Sequence, residues 1–258
     1  MKHSFIDQYS DGDSLIHRLD PRTKLITSLA FIVAVVLTPV SNWRVFIFYF
    51  CLVVALLIIS RLPPLYVLKR SLVIFPFVLL VAIFIPFFKQ GEVAGSYNIG
   101  LWQVSVTYSG LVVLANVVVK AWLSILSLIL LSATTQFTEL LRGLRQSGVP
   151  EVIVLILSFM YRYIFVLVDE TLRMRRARDS RNFGGSRRRQ LKTIGNMIGT
   201  LFIRSYERGE RVYAAMLSRG FDSQIRSLRQ LSFHKADAYF GIAFGLALLS
   251  SAVIFWWL

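Results

Sequence analysis

The sequence predicts an all-α integral membrane protein, with about five transmembrane helices and a helical module on the cytoplasmic side. Three observations carry that prediction. Hydrophobic residues fill 55% of the 258 positions and charged residues only 17%, where a soluble chain has roughly a quarter charged. The apolar residues fall in blocks too long and too unpunctuated for globular strands or half-buried helices. The basic excess, 29 Lys plus Arg against 14 Asp plus Glu, lies mostly between those blocks, where loops face an anionic inner leaflet. A soluble enzyme does not fit this composition. Cys51 is the lone cysteine and sits inside an apolar run, so no disulfide framework is expected.

Residues 1–24 form a polar cytoplasmic segment without the apolar core or small-residue cleavage site of a signal peptide. Four spans follow over 25–134. The first, Leu25 to Val40, has a readable start: Asp20 caps free backbone N–H groups and Pro21 suits the first helical position. Arg22 and Lys24 hold that end at the inner surface. Asn42 and Trp43 form an outer turn into Val45 to Ser60, and Arg61-Leu-Pro-Pro64 an inner one. Ser71 to Phe88 is the third span, Gly91 to Gly100 a longer outer loop, and Val104 to Leu131 the fourth span. The fifth, over 237–258, contains no Lys or Arg.

The apolar stretch Val152 to Val168 has spanning length but carries Arg162 at its middle, which costs about 2.5–3.5 kcal/mol in lipid on insertion scales. Charge decides its placement. Between Thr135 and Ala236 there are 19 Lys plus Arg and 8 Asp plus Glu, and a span there would put most of that excess outside. Residues 135–236 are therefore read as a cytoplasmic module, with a long helix from Val152 to Arg178 against the inner surface. A second helix follows the break at Gly184-Gly185-Ser186. Its apolar face is Leu191, Ile194, Ile198, Leu201 and Phe202, and Glu207 and Arg211 form an i,i+4 pair.

Aligned on itself, the module repeats at an offset of 38 residues: Arg173-x-x-x-Ala177-x-x-Ser180-Arg181-Asn182-Phe183 and Arg211-x-x-x-Ala215-x-x-Ser218-Arg219-Gly220-Phe221. Asn and Gly enter the left-handed conformation that closes a helix, and the following Phe packs back on the last turn. Each Arg thus stands at a helix tip. Complementing the helix dipole is one use for it. The repeated Ser before and Phe after are not needed for that, and they favour bidentate docking onto carboxylates of another protein.

With these motifs, His17-Arg-Leu-Asp-Pro-Arg-Thr-Lys24 and Thr134-Thr-Gln-Phe-Thr-Glu-Leu-Leu-Arg-Gly-Leu-Arg-Gln-Ser-Gly-Val-Pro150 make the chain resemble the transmembrane T component of energy-coupling factor transporters, most closely the CbiQ type of cobalt transport protein. The resemblance covers nearly the whole chain. It implies a non-catalytic coupling module whose Ala-Arg-Gly motifs engage two ABC ATPase subunits of the CbiO type. The matching residues are Ser180, Arg181 and Asn182, then Ser218, Arg219 and Gly220, with Ser in place of Ala twice and Asn in place of Gly once. It also implies a substrate-binding membrane subunit of the CbiM type, with or without a CbiN type, cobalt or nickel as cargo, and a bacterial cytoplasmic membrane. No cofactor is expected.

The sequence has no G-x-x-x-x-G-K-[ST] loop, so ATP phosphates are left to a partner. The basic run Arg173 to Lys192 also suits anionic lipid headgroups. Nucleic acid is set aside because no reading motif is present. The alternative class is an integral membrane enzyme acting on a lipid-like substrate near Asp169 and Glu170, which lacks a nucleophile–base or zinc signature. His3, Asp7, Asp11, Asp13 and His17 are read as a solvated tail because they lack metal-ligand spacing. Two placements are open for Lys120: with Asn116 toward the bundle interior or a partner, or reaching to the inner surface.

Overall fold

Pro21 opens α1 (Pro21–Leu37) as the sequence predicts, with the Asp20 carboxylate accepting the Arg22 N–H at 2.9 Å. The computed structural model describes residues 12–40, 42–88, 93–99, 102–181, 186–222 and 233–256. Helix α1 stops at Leu37, short of Val40. Thr38 precedes Pro39, which disfavours helical backbone, and its hydroxyl turns back to Ala34 O at 2.8 Å.

Helix α2 (Trp43–Ser60) takes in Trp43 and ends on Arg61 at φ +54. Helix α3 (Pro64–Ala82) starts seven positions before the predicted Ser71, because Pro64 supplies a better start signal than the onset of the apolar run. A single turn, α4 (Ile85–Phe88), follows. The region read as an outer loop instead pairs β1 (Val93–Ile99) with β2 (Trp102–Thr107) as an antiparallel hairpin. Val104-Ser-Val-Thr107 alternates with the strand period of two, so the next helix, α5 (Tyr108–Thr134), begins four residues later than predicted. The chain continues through α6 (Phe137–Gln146), α7 (Glu151–Arg181), α8 (Arg187–Leu217) and α9 (Lys235–Trp256). Helices dominate the described residues, and the fold is that of an all-α membrane protein. Helices α2, α3, α5 and α7 are long and apolar enough to cross a membrane; α1 has 17 residues.

The chain forms two compact units, one of Ser4–Gly143 with Leu231–Leu258 and one of Leu144–Gln230. In the first, Phe31 and Val35 of α1, Tyr49 and Val53 of α2, and Leu123 and Ile129 of α5 make the core, joined by Phe244 of α9. Phe31 meets Tyr49 edge to face at 5.5 Å. Helices α1 and α5 run antiparallel and exchange lysines. Lys24 Nζ on the first turn of α1 donates to Thr134 O, the last residue of α5, at 2.9 Å, and to His17 O at 3.0 Å. Lys120 Nζ on α5 donates to Val36 O in the last turn of α1 at 2.8 Å. Between them the Ser28 and Ser127 hydroxyls meet at 2.9 Å. Each lysine supplies a donor and a positive charge where a helix ends in unpaired carbonyls. Lys120 therefore does not reach for the inner surface, because a carbonyl acceptor lies within its own bundle.

Asp237, at the start of α9, accepts the Asp20 N–H at 2.7 Å and the His234 N–H at 2.8 Å. This ties α1, α5 and α9 into one buried polar knot. Lys24 lies just before the apolar run that starts at Leu25, and burial pushes its ammonium down to about 8, with Glu139, Asp237 and Asp20 pulling it back up. Gly143, within α6, is a close-approach residue, since a Cβ there would lie 3.4 Å from Arg22 N.

Candidate functional site

In the second unit, α7 and α8 meet where Glu170 of α7 receives Arg204 of α8. Glu170 also forms an ion pair with Arg173 of its own helix at 3.7 Å. Arg181 lies 11 residues beyond Glu170 on α7, about 16 Å at 1.5 Å rise per residue, and Arg219 lies 15 residues beyond Arg204, about 22 Å. Each motif thus sits at the C-terminal end of its helix, several turns beyond that contact.

The second motif is fully described. Ser218 N–H bonds back to Ala214 O at 3.0 Å, Gly220 N–H to Leu217 O at 3.0 Å and Phe221 N–H to Met216 O at 3.1 Å. Gly220 takes φ +75. This is the paired closure in which a left-handed residue lets two N–H groups reach the last carbonyls, as the sequence pattern implied. Arg219 directly follows the cap residue Ser218, so its side chain leaves from the end of the helix. In the first motif Arg181 is the last residue of α7; Asn182 and Phe183 lie outside the described residues.

Both serines behave alike. Ser180 Oγ donates to Ala177 O and Ser218 Oγ to Ala215 O, each at 3.0 Å. A hydroxyl folded onto its own helix in this way presents little more than an alanine would, which explains how Ser stands in for Ala at both tips. The sequence did not reveal this second use of the repeat, although the small residue three positions earlier in each copy was its signal.

Ser180, Arg181, Ser218, Arg219 and Gly220 are all exposed. Several neighbouring arginines are taken up by carboxylates: Arg175 at 3.8 Å and Arg178 at 2.7 Å by Asp179, and Arg211 at 3.7 Å by Glu207, the last as predicted. Among the described residues Arg181 and Arg219 have no ion pair. Arg187, Arg188 and Arg189 share that property, so it is the repeated sequence, with its serine folded onto the helix in both copies, that distinguishes the motif pair. Of the N-terminal polar set, His3, Asp7 and Asp11 lie outside the described residues, and the His17 ring meets Ser14 Oγ at 2.6 Å.

Known proteins point the same way. Residues 12–230 match the family model for CbiQ, described as a cobalt transport protein. The energy-coupling factor transporter transmembrane protein EcfT of Listeria innocua is 30% identical, over 99% of this chain and 98% of its own length. EcfT of Lactococcus lactis subsp. cremoris is 26% identical over the same shares. An uncharacterized protein of Methanocaldococcus jannaschii is 28% identical over 97% of this chain and 86% of its own. The family match spans most of the chain and the relatives cover nearly all of it: the chain belongs to the CbiQ family of transporter transmembrane proteins.

Proposed function

We propose that this chain is the coupling subunit of an energy-coupling factor importer in a bacterial cytoplasmic membrane. It passes the ATP-driven motion of two ABC ATPase subunits, of the CbiO type, to a substrate-binding membrane subunit of the CbiM type, with or without a CbiN type. The observation that carries the reading is the duplicated tip. Arg181 and Arg219 end two arms that share one contact, each with its serine folded away and its guanidinium uncommitted among the described residues. Two like tips suit two like acceptors, and a guanidinium fork suits a carboxylate. Residues 135–236 act as the cytoplasmic coupling module, with α7 beneath the membrane despite its apolarity, because Arg162 and the surrounding basic excess favour that side. The apolar face of α8, with Ile198 and Phe202 at 63% and 71% exposure, is left for the substrate-binding subunit. The chain itself performs no catalysis. Cobalt, or nickel as its nearest relative, is the cargo the family description favours.

The test combines Arg181→Glu with Arg219→Glu in the full transporter. ATPase subunits should no longer co-purify and cobalt uptake should stop, while the bundle melts as in the parent. A buried charge pair broken on one side costs about 3–5 kcal/mol, so each single change should already weaken attachment. Retention of the ATPases by the double variant would refute the role of the tips. Uptake assays with cobalt and nickel ions separately decide the cargo.

A further inference from the structure

Beside the Glu170–Arg204 contact, a cleft of about 380 Å³ opens between α7 and α8. Its lining combines two chemistries. Tyr163, Leu167 and Leu201 give it an apolar wall, while Arg204, Arg208 and Arg211 line it from α8. Those arginines fall at i, i+4 and i+7, which places them on one helical face. The single carboxylate among the lining residues is Glu170, already shared by Arg204 and Arg173. Arg211 is held by Glu207, which does not line the cleft. Arg208 has no ion pair or side-chain hydrogen bond among the described residues. The Ser205 hydroxyl is spent on Phe202 O at 2.7 Å.

We propose that this cleft binds the headgroup of an anionic phospholipid, with Arg208 as its principal phosphate ligand. Guanidinium groups match phosphate oxygens in both shape and charge. A soluble phosphate would satisfy the arginines but leave the wall of Tyr163, Leu167 and Leu201 facing water. An amphiphile satisfies both sides. The apolar strip also continues along the same face of α7 through Met160 and Ile164, exposed at 54% and 43%, which gives an acyl chain somewhere to lie. The site is separate from the two tips and does not depend on what they bind.

The experiment is native mass spectrometry of the full-length protein released from detergent micelles doped with phosphatidylglycerol or phosphatidylcholine, with and without millimolar inorganic phosphate. One phosphatidylglycerol should stay on each chain, phosphatidylcholine should not, and inorganic phosphate should not displace it. Arg208→Gln should weaken retention by about tenfold or more, the effect of losing a hydrogen bond to a charged group. Arg44→Gln, on the exposed first turn of α2, should leave retention unchanged, and both variants should melt as the parent does. Equal retention of the two lipids, equal loss in the two variants, or displacement by inorganic phosphate would each overturn the proposal.

Discussion

Lys24 and Lys120 in the bundle, and Arg181 and Arg219 in the helical module, are all long cations placed near helix ends, and the two pairs end differently. The lysines donate to backbone carbonyls at the ends of each other's helices, at 2.9 and 2.8 Å. The arginines stand exposed at the ends of their own helices, with no ion pair among the described residues. The surroundings repeat the contrast. The bundle has a continuous core from Phe31 to Phe244, whereas α8 buries no residue and α7 buries only Val154. A unit that satisfies its polar groups internally is stable as a scaffold. A unit that leaves apolar faces and guanidinium groups uncovered is shaped for other molecules to complete. Substitutions in the first unit should therefore be felt as stability, and those in the second as binding.

Lys24→Met should have the largest effect on stability. It keeps the bulk but removes both hydrogen bonds, orphaning Thr134 O and His17 O at about 1–3 kcal/mol each. Thermal unfolding in detergent should show a marked loss. The parent should also gain stability as pH rises from about 8 toward 10.5, because native Lys24 gives up its proton first and the unfolded chain then holds more protons. The variant should lack that rise. If Lys24→Met melted like the parent, the knot would not be what holds the bundle ends together.

Gly110→Ala comes next. A Cβ at this position in α5 would lie 2.6 Å from Pro86 Cα, and backbone cannot swing aside as a side-chain tip can. The overpacking should cost about 1–3 kcal/mol, exceeding the usual gain from Ala in a helix. Ser28→Ala should cost about 1 kcal/mol, leaving the Ser127 hydroxyl without its 2.9 Å partner. Ser28→Ala combined with Ser127→Ala should recover part of that loss, because a paired removal orphans nothing.

Local signals made much of this legible beforehand. Asp20-Pro21 predicted the start of α1 and its cap, and Asn or Gly followed by Phe predicted the closure seen at Gly220. The repeat itself singled out Arg181 and Arg219 without any knowledge of packing. Boundaries suffered where hydrophobicity alone set them. Apolar runs report what lipid tolerates, while helix ends obey proline and cap geometry, hence the shifts at Pro64 and Thr38. Val104 to Thr107 is apolar enough to extend a span, yet its alternation with serine and threonine belongs to a strand. The lysine exchange was hidden because it joins residues 110 and 84 positions apart through backbone carbonyls, which have no sequence signature. The cleft arginines did have one, at i, i+4 and i+7, but it was submerged in a generally basic module.

Glu170→Gln is the sharpest probe of the contrast, because the smallest change in stability is expected there. Glu170 is the carboxylate joining α7 to α8, and it serves two arginines, so its removal resembles breaking the central fastening of the module. Arg204 and Arg173, however, are 58% and 64% exposed. Charges so open to water recover most of the lost attraction by solvation and screening, so the cost should stay below about 1 kcal/mol. The melting transition should barely move, and raising the salt concentration should move parent and variant by the same small amount. A loss comparable to that of Lys24→Met would mean that the module, too, is held together from within, and the division between a self-satisfied bundle and an open module would fail.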